Sequence, residues 1–349
     1  MPWELERLLR KDLIVDPGSV NTVLASRRLN FLLREPTQIT LYAPRFGQGT
    51  GLTRIAEFGA GLLAREPKRK GVYRVQPVQR GLLVDTHAMN LLLEALLRKA
   101  HFQRSFPFGL PSRVAVVIPA GLTAQQNARF EEFAQDIGPT RPTLIQAPFA
   151  AAAGSGLDTQ ANRGRVLVDF GGGKTYAAVF CLGGIVAYSS QPCGSQDLTL
   201  ALRDYVAQRW TVDLSMATAD EVKHTIGSVY PLEQPASIGV RGIDPRTGFE
   251  KKVTLDDNEL RDVLIDAFEP VVMAIQRSLA DLPAEMAGDI QADGVTLTGG
   301  GSLLHGLASF LEERLNLPFH LAPDPINATI LGAQTLLLQH PSRAAAALM

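Results

Sequence analysis

The sequence predicts an α/β protein built from two related halves. Two segments carry most of that expectation. "LIVDPGSVNTVLA" (Leu13 to Ala25) and "VLVDFGGGKTYAAVF" (Val166 to Phe180) follow one plan: an apolar strand ending in aspartate, a tight glycine-containing turn, then a second β-rich strand. Their aspartates, Asp16 and Asp169, lie close to half the chain apart, too far for a solenoid unit and suited to a duplicated domain. The 349 residues, 46% of them hydrophobic, suffice for two domains of ordinary size, each with its own core.

The elements follow in chain order. In the first segment, the turn holding Gly18, Ser19 and Asn21 bares backbone N–H groups that can close on phosphate oxygens. Further on, Phe130, Phe133, Ala134 and Ile137 recur at i, i+3, i+4 and i+7, the apolar stripe of a helix. Glu131 falls at the edge of that stripe and Glu132 points away. The triple glycine before Lys174 is not a P-loop. That motif needs a glycine five positions before its Gly-Lys pair, where Val168 stands, and a helix directly after. "TYAAVFCLGGIVAYSS" instead reads as two strands turning at Gly183-Gly184. The missing helix equally excludes a dinucleotide fingerprint. In "GVTLTGGGSLLHGLASFLEERLNLPFHLAPDP" (Gly294 to Pro325), a strand runs into Gly299-Gly300-Gly301. Leu303, Leu304, Leu307 and Leu311 then recur at helical spacing, which predicts a helix from near Ser302.

This pattern has a chemistry. Two glycine-rich turns facing each other can clamp a di- or triphosphate from both sides. An aspartate at each strand end can hold Mg²⁺ through water, since that ion keeps several waters. A helix N-terminus behind three glycines offers unpaired N–H groups and lets a flat ring or a ribose approach the backbone. Each turn alone is as compatible with a plain hairpin and a capping Asp, and one glycine of the cluster with close strand–helix packing. The pairing of two matching turns favours the nucleotide.

Composition narrows the class. A net charge of −1 gives no broad electrostatic footprint for nucleic acid, and none is expected as a partner. Two cysteines, Cys181 and Cys193, make neither a disulfide framework nor a zinc site and read as thiols of a reducing cytoplasm. No apolar run approaches the roughly 20 residues a membrane span needs, and "MPWELERLLRKDLIVD" lacks the features of a signal peptide.

The three glycine clusters, in this order, resemble the superfamily of actin, heat-shock chaperone ATPase domains and sugar kinases. "RVAVVIPAGLTAQQNARFEEFAQDIG", "LIQAPFAAAAGSGL", "TADEVKHTIGSVYPL" and "LPAEMAGDIQADGVTLTGGGSLLHGL" narrow the likeness to MreB, the bacterial rod-shape actin, over nearly the whole chain from Lys11 to about Leu338. The resemblance implies an actin-like ATPase fold, two duplicated ribonuclease-H-like domains around a nucleotide cleft that takes ATP or ADP with Mg²⁺. Domain I is expected over 1–150 with 325–349 returning to it and a small subdomain at about 34–80. Domain II is expected over 151–324 with a small subdomain at about 210–252, which contributes adenine contacts. Asp16, Gly18, Ser19, Asn21 and Thr22 fit the family's first phosphate turn. Asp169, Gly171, Gly172 and Gly173 fit the second. Gly299, Gly300 and Gly301 fit the adenosine site. Asp16 and Asp169 are the expected Mg²⁺ residues, through water. Asp220 and Lys223 fit the pair that contacts adenine and ribose, with Asp where the family usually has Glu; taken alone they read as a surface i, i+3 charge pair. Glu131 matches the glutamate that positions the attacking water.

Three departures stand out. Pro17 replaces an aliphatic residue of the first turn, fixing φ and removing one N–H. Tyr176 stands at an acidic position of the family. Lys174 replaces the Thr whose hydroxyl helps to place the nucleophilic water. Its ammonium either pairs with a phosphate and stabilises transferred charge, or occupies the water or metal position and holds ATP without hydrolysis. A third option leaves it bent into solvent. The substitution favours slow or absent hydrolysis with binding retained.

The resemblance also implies filaments of the chain with itself, at the inner face of the cytoplasmic membrane, working with cell-shape or cell-wall morphogenesis proteins. "SFPFGLPSRV" matches the family's apolar membrane loop and offers Phe106, Phe108 and Leu110, with Arg98, Lys99, Arg104 and Arg113 for anionic headgroups. The other reading of that loop folds it back on the core. Leu5, Leu8 and Leu9 share one face of an N-terminal helix, a weak anchor that many filament copies would reinforce. Other members of the superfamily remain as alternatives. A small-molecule kinase needs a substrate pocket and a catalytic aspartate that the sequence does not offer. A chaperone ATPase needs a client-binding domain for which no residues remain.

Overall fold

A computed structural model describes residues 12–26, 31–42, 55–59, 71–100, 113–138 and 142–339. The proposed membrane residues Leu5, Leu8, Leu9, Phe106, Phe108 and Leu110 lie outside these. The chain divides into two compact units, Met1–Gly154 with Asn327–Met349, and Ser155–Ile326. Among the described residues, no helix is long and apolar enough to cross a membrane.

The first unit begins with strands β1 (Asp12–Pro17), β2 (Asn21–Ser26) and β3 (Phe31–Pro36), an antiparallel run. A small antiparallel sheet of β4 (Ile39–Tyr42), β5 (Ile55–Phe58) and β6 (Val72–Val75) follows, then a short hairpin of β7 (Val78–Gln79) and β8 (Leu82–Leu83). Helix α1 (Thr86–Lys99) starts where the Asp85 carboxylate accepts from the Ala88 N–H at 2.8 Å and ends on Arg98 and Lys99, both of which suit the helix dipole. Strand β9 (Arg113–Ile118), helix α2 (Ala124–Ile137), strand β10 (Thr143–Gln146) and helix α3 (Ala147–Ser155) complete this stretch. The main sheet has the order β10-β9-β1-β2-β3, with β9 and β10 parallel to β1.

Strand periodicity decides how this sheet is covered. Leu13, Val15 and Leu24 face one side, packed with Met89, Leu92 and Leu96 of α1 and Phe130 and Phe133 of α2. Ile14, Val23 and Ala25 face the other, packed with Ala150 of α3 and with Ile330, Ala333 and Leu337 of the chain's last helix, Ala328–Gln339. The buried residues of α2 are Phe130, Phe133, Ala134 and Ile137, the stripe expected from sequence. Where α3 meets the last helix, glycines allow backbone contact: a Cβ on Gly332 would lie 1.7 Å from the Ala150 carbonyl oxygen, and one on Gly154 1.8 Å from that of Ala328.

The second unit repeats the plan. Its elements are β11 (Arg165–Phe170), β12 (Thr175–Cys181), β13 (Gly184–Gln191), α4 (Ser195–Trp210), α5 (Met216–Ile226), β14 (Ser237–Ile243), β15 (Glu250–Asp256), α6 (Asp257–Leu279), α7 (Ala284–Asp293), β16 (Val295–Thr298), α8 (Leu307–Leu315) and β17 (Phe319–Leu321). The last helix of the chain is therefore α9. The sheet order is β13-β12-β11-β16-β17, with β12 antiparallel and β16 parallel to β11. Strand for strand this is the arrangement around β1. Val166, Val168 and Phe170 alternate into one core with Leu198 and Leu202 of α4, Val222 of α5 and Leu264 and Phe268 of α6.

Two local expectations need correction. The β12–β13 turn is Leu182-Gly183, not Gly183-Gly184. Both turn residues have positive φ (50° and 80°), as the tight turn that matches strand twist requires, and Gly184 already pairs with Cys181. No α-helix starts at Ser302. Gly300–Leu303 is a 3₁₀ turn, and α8 begins only at Leu307. The intervening chain is drawn aside: the His305 carbonyl accepts from the Val229 N–H at 3.1 Å and the Ser228 hydroxyl at 3.0 Å. Gly306, at φ 70°, lies so near Tyr230 that a Cβ would approach its Cβ to 2.2 Å.

Candidate functional site

The first unit's turn is closed by its own polar atoms. Asp16, the penultimate residue of β1, stands opposite Val23, and the Gly18 N–H donates to the Asp16 carbonyl at 3.1 Å. A Cβ on Gly18 would lie 2.6 Å from the Asn21 carbonyl oxygen, so only glycine fits. The Thr37 hydroxyl donates to the Gly18 carbonyl (2.6 Å) and therefore accepts from Thr22, 2.9 Å away. Thr22 is fully buried; its side chain braces the turn from behind. The Ser19 hydroxyl accepts from the Gly81 N–H at 2.8 Å, and the Ser19 carbonyl accepts from the Gln76 amide at 2.7 Å. Gly81 lies in the turn of the β7–β8 hairpin and Gln76 just before it, a link with no sequence signal. Burial pushes the Asp16 carboxyl up to about 6, against the opposing pull of the Arg34 guanidinium. Arg34 also donates to the Asn327 side chain at 2.8 Å.

The second unit's turn is built against two other backbone segments. The Gly171 N–H donates to the Lys174 carbonyl at 3.1 Å and closes the turn. The Gly171 carbonyl accepts from the Ser195 N–H (3.0 Å) and the Gly172 carbonyl from the Gln196 N–H (2.8 Å), both at the start of α4. In a trans peptide the N–H points opposite to the C=O. The N–H groups of Gly172 and Gly173 are thereby turned away from α4, and neither has an acceptor among the described residues. Gly194 permits this docking, because a Cβ there would lie 2.5 Å from the Gly172 carbonyl. Gly194 and the opening residues of α4 pack on this turn and were not singled out by sequence, although a Gly-Ser before a helix is a readable start signal.

The Gly299 cluster packs on the same turn. A Cβ on Gly299 would lie 2.5 Å from the Phe170 carbonyl oxygen and 2.9 Å from an Asp169 carboxylate oxygen. On Gly301 it would strike the Phe170 ring at 2.5 Å. Close packing thus accounts for two of the three glycines. Gly300 is exposed and a Cβ there would meet nothing, so its backbone lies open to a ligand.

Lys174 is half-buried rather than splayed into solvent. Burial lowers its pKa, and among the described residues its ammonium has neither a carboxylate nor a hydrogen-bond partner. Asp169 lies near Tyr188 of β13, whose hydroxyl pKa is raised by burial and further by that carboxylate, against a hydrogen bond from Ser190. Asp220 and Lys223 on α5 do form an ion pair, at 2.6 Å, but not a surface one: Lys223 is only 5% exposed. Glu131 is exposed on α2, and no contact of its side chain is seen among the described residues. Of the basic residues expected to meet lipid, Lys99 is paired with Glu35 and Arg113 donates to the Leu337 carbonyl at 2.7 Å.

Comparison with known proteins finds relatives over nearly the whole chain. A sequence model of the family described as MreB/Mbl protein matches residues 10–344. The cell shape-determining protein MreB of Escherichia coli K12 is 32% identical over 326 residues, 93% of this chain and 92% of its own. Among solved structures, the chain is similar to MreB5 of Spiroplasma citri bound to AMPPNP, with a TM-score of 0.87 and 22% identity over 97% of this chain and 99% of that one. It is also similar to the MamK double helical filament, with a TM-score of 0.72 and 22% identity over 94% of this chain and 98% of that one.

Proposed function

The chain belongs to the MreB/Mbl family, and from that premise we propose that it is a cytoskeletal protein that binds ATP or ADP with Mg²⁺ and assembles with copies of itself into filaments governing cell shape. The fold is actin-like. The filaments lie on the inner face of the cytoplasmic membrane, beside morphogenesis proteins, and ATP is hydrolysed slowly or not at all. Support for self-assembly and nucleotide comes from the MamK filament and from MreB5 with AMPPNP; support for the cell-shape role comes from the E. coli relative.

One observation carries the nucleotide: the matching turns hold charges of opposite sign that the protein does not fully compensate. Asp16 is a buried carboxyl whose desolvation outweighs the pull of Arg34, and Lys174 a desolvated ammonium with no anion beside it among the described residues. Mg²⁺ and phosphate carry the charges that these two groups would accept. Asp16 and Asp169 would hold the ion through water. The Gly172 and Gly173 N–H groups, with those of the first turn, would hold phosphate oxygens. Gly300 would let the nucleoside approach. Mg²⁺ held there would neutralise charge on the phosphates. Lys174 adds a positive charge but offers no hydroxyl to orient water, and Glu131 has no described contact that fixes it beside a reacting group.

Sedimentation with ATP and Mg²⁺, followed by electron microscopy, tests the reading. Filaments are expected, and calorimetry should detect ATP and ADP at millimolar concentration or below. Turnover stimulated by a sugar, or no heat with either nucleotide, would overturn it.

A further inference from the structure

Lys223 stands where an adenine and ribose contact is expected, yet its ammonium is spent inside the protein. It donates to the Asp220 carboxylate at 2.6 Å, the Thr199 hydroxyl at 2.8 Å and the Ser195 carbonyl at 3.1 Å. An ammonium has three N–H donors, and these three acceptors use them all. With 5% of the residue exposed, no donor is left for a nucleoside. Asp220 differs: its side chain is 49% exposed, and among the described residues its second carboxylate oxygen meets only His224, at 3.4 Å. Desolvation pushes the Asp220 carboxyl up, but hydrogen bonds from Lys223 and Thr199 and the charges of Lys223 and His224 outweigh it and hold the group ionised.

The acceptors of Lys223 locate its action. Ser195 opens α4; its carbonyl takes the Lys223 bond while its N–H holds the Gly171 carbonyl. Thr199, one turn on, lies 3.1 Å from the same Ser195 carbonyl. The first turn of α4 is therefore pinned between α5 on one side and the glycine turn on the other. That pinning fixes the peptide planes of Gly171 and Gly172, and with them the direction of the Gly172 and Gly173 N–H groups.

We infer that Lys223 is a positioning residue for the second phosphate turn: it sets phosphate affinity through α4 without touching the nucleotide, and Asp220 alone of the pair faces the nucleoside. The inference rests on the ATP reading above.

The test uses the full chain and two displacers of a fluorescent ATP analogue, Mg²⁺-ATP and Mg²⁺-tripolyphosphate, the second having phosphates but no nucleoside. Lys223→Met should weaken both by a similar factor of about ten, the scale of one charge-assisted hydrogen bond. Thr199→Val, a smaller change that removes one of the three acceptors of Lys223, should weaken both in the same direction. Asp220→Asn should weaken ATP and leave tripolyphosphate within about twofold, since Asn keeps one acceptor for Lys223. Amide exchange of the apoprotein gives a readout independent of ligand. In both Lys223→Met and Thr199→Val, exchange should quicken at 171–174 and 195–199 and stay unchanged in the first unit. A Lys223→Met protein that loses ATP but keeps tripolyphosphate and native exchange would overturn the inference and make Lys223 a nucleoside contact. Should Lys223→Met not fold, unchanged exchange and affinities in Thr199→Val would overturn it equally. A wild-type protein that binds neither displacer would overturn the ATP reading itself.

Discussion

Burial holds the Asp16 carboxyl at about 6 rather than the usual 3.8. The folded apoprotein thus binds this proton more tightly than the unfolded chain does. The group favours folding most at low pH, and that advantage is lost as pH rises from about 4 to about 6. Above that it costs at most about 3 kcal/mol, from the difference of the two values. Asp16→Asn should therefore raise the melting temperature of the apoprotein at pH 7, with the gain vanishing below about pH 4 and with Mg²⁺-dependent ATP binding lost. Thermal melts across that range check it. Lys174 permits a separate expectation. Lys174→Thr restores a hydroxyl where the charge stands, and phosphate release should rise, by tenfold or more if one positioned water contact is worth about 2–4 kcal/mol. An unchanged rate would show that Lys174 is not what limits hydrolysis. Asp16, Asp169 and the glycines were legible in sequence because turn chemistry is local. The inward aim of Lys223 was not, since it depends on α4, which is distant in sequence.

The same contrast holds for elements. The α2 stripe and both strand–turn–strand segments could be read directly, because periodicity and turn residues lie within one stretch. The start of α8 could not. Its leucine spacing continues through Leu303 and Leu304, but the Ser228–Val229 segment takes the His305 carbonyl and breaks the helix there. Leu182 likewise hid its role, since a leucine at positive φ has no sequence signature. The α3–α9 crossing is equally invisible in either helix alone. A methyl group at Gly332 meets a backbone carbonyl, which cannot rotate aside, so the helices must separate. Gly332→Ala should destabilise the protein by about 1–3 kcal/mol, the cost typical of overpacking. Gly288, in α7 with open space around it, provides the control, and its Ala variant should be neutral or stabilising in urea titrations.

At the scale of the molecule, duplication was legible from two short motifs, and the matching sheet orders extend it to five strands on each side. The way the chain threads those units is asymmetric. The second unit is one continuous segment, Ser155–Ile326, with its own core. Expressed alone, that segment should fold and melt cooperatively by circular dichroism. The first unit draws α9 from beyond the second, and without it Ile14, Val23, Ala25, Ala115 and Val117 lose the cover of Ile330, Ala333 and Leu337. A fragment ending at Gly154 should bind a hydrophobic dye and aggregate, and adding the α9 segment through a short linker should rescue it.

That threading has a consequence during synthesis. A ribosome making this protein releases the first sheet early but the helix that shields one of its faces last. At roughly 5–20 residues per second, the bare face waits on the order of ten to thirty seconds while Ser155–Ile326 is translated. A nascent polypeptide with Val23 and Val117 uncovered for so long is a natural client for holding chaperones, and messages truncated late in the reading frame should yield products that proteases clear.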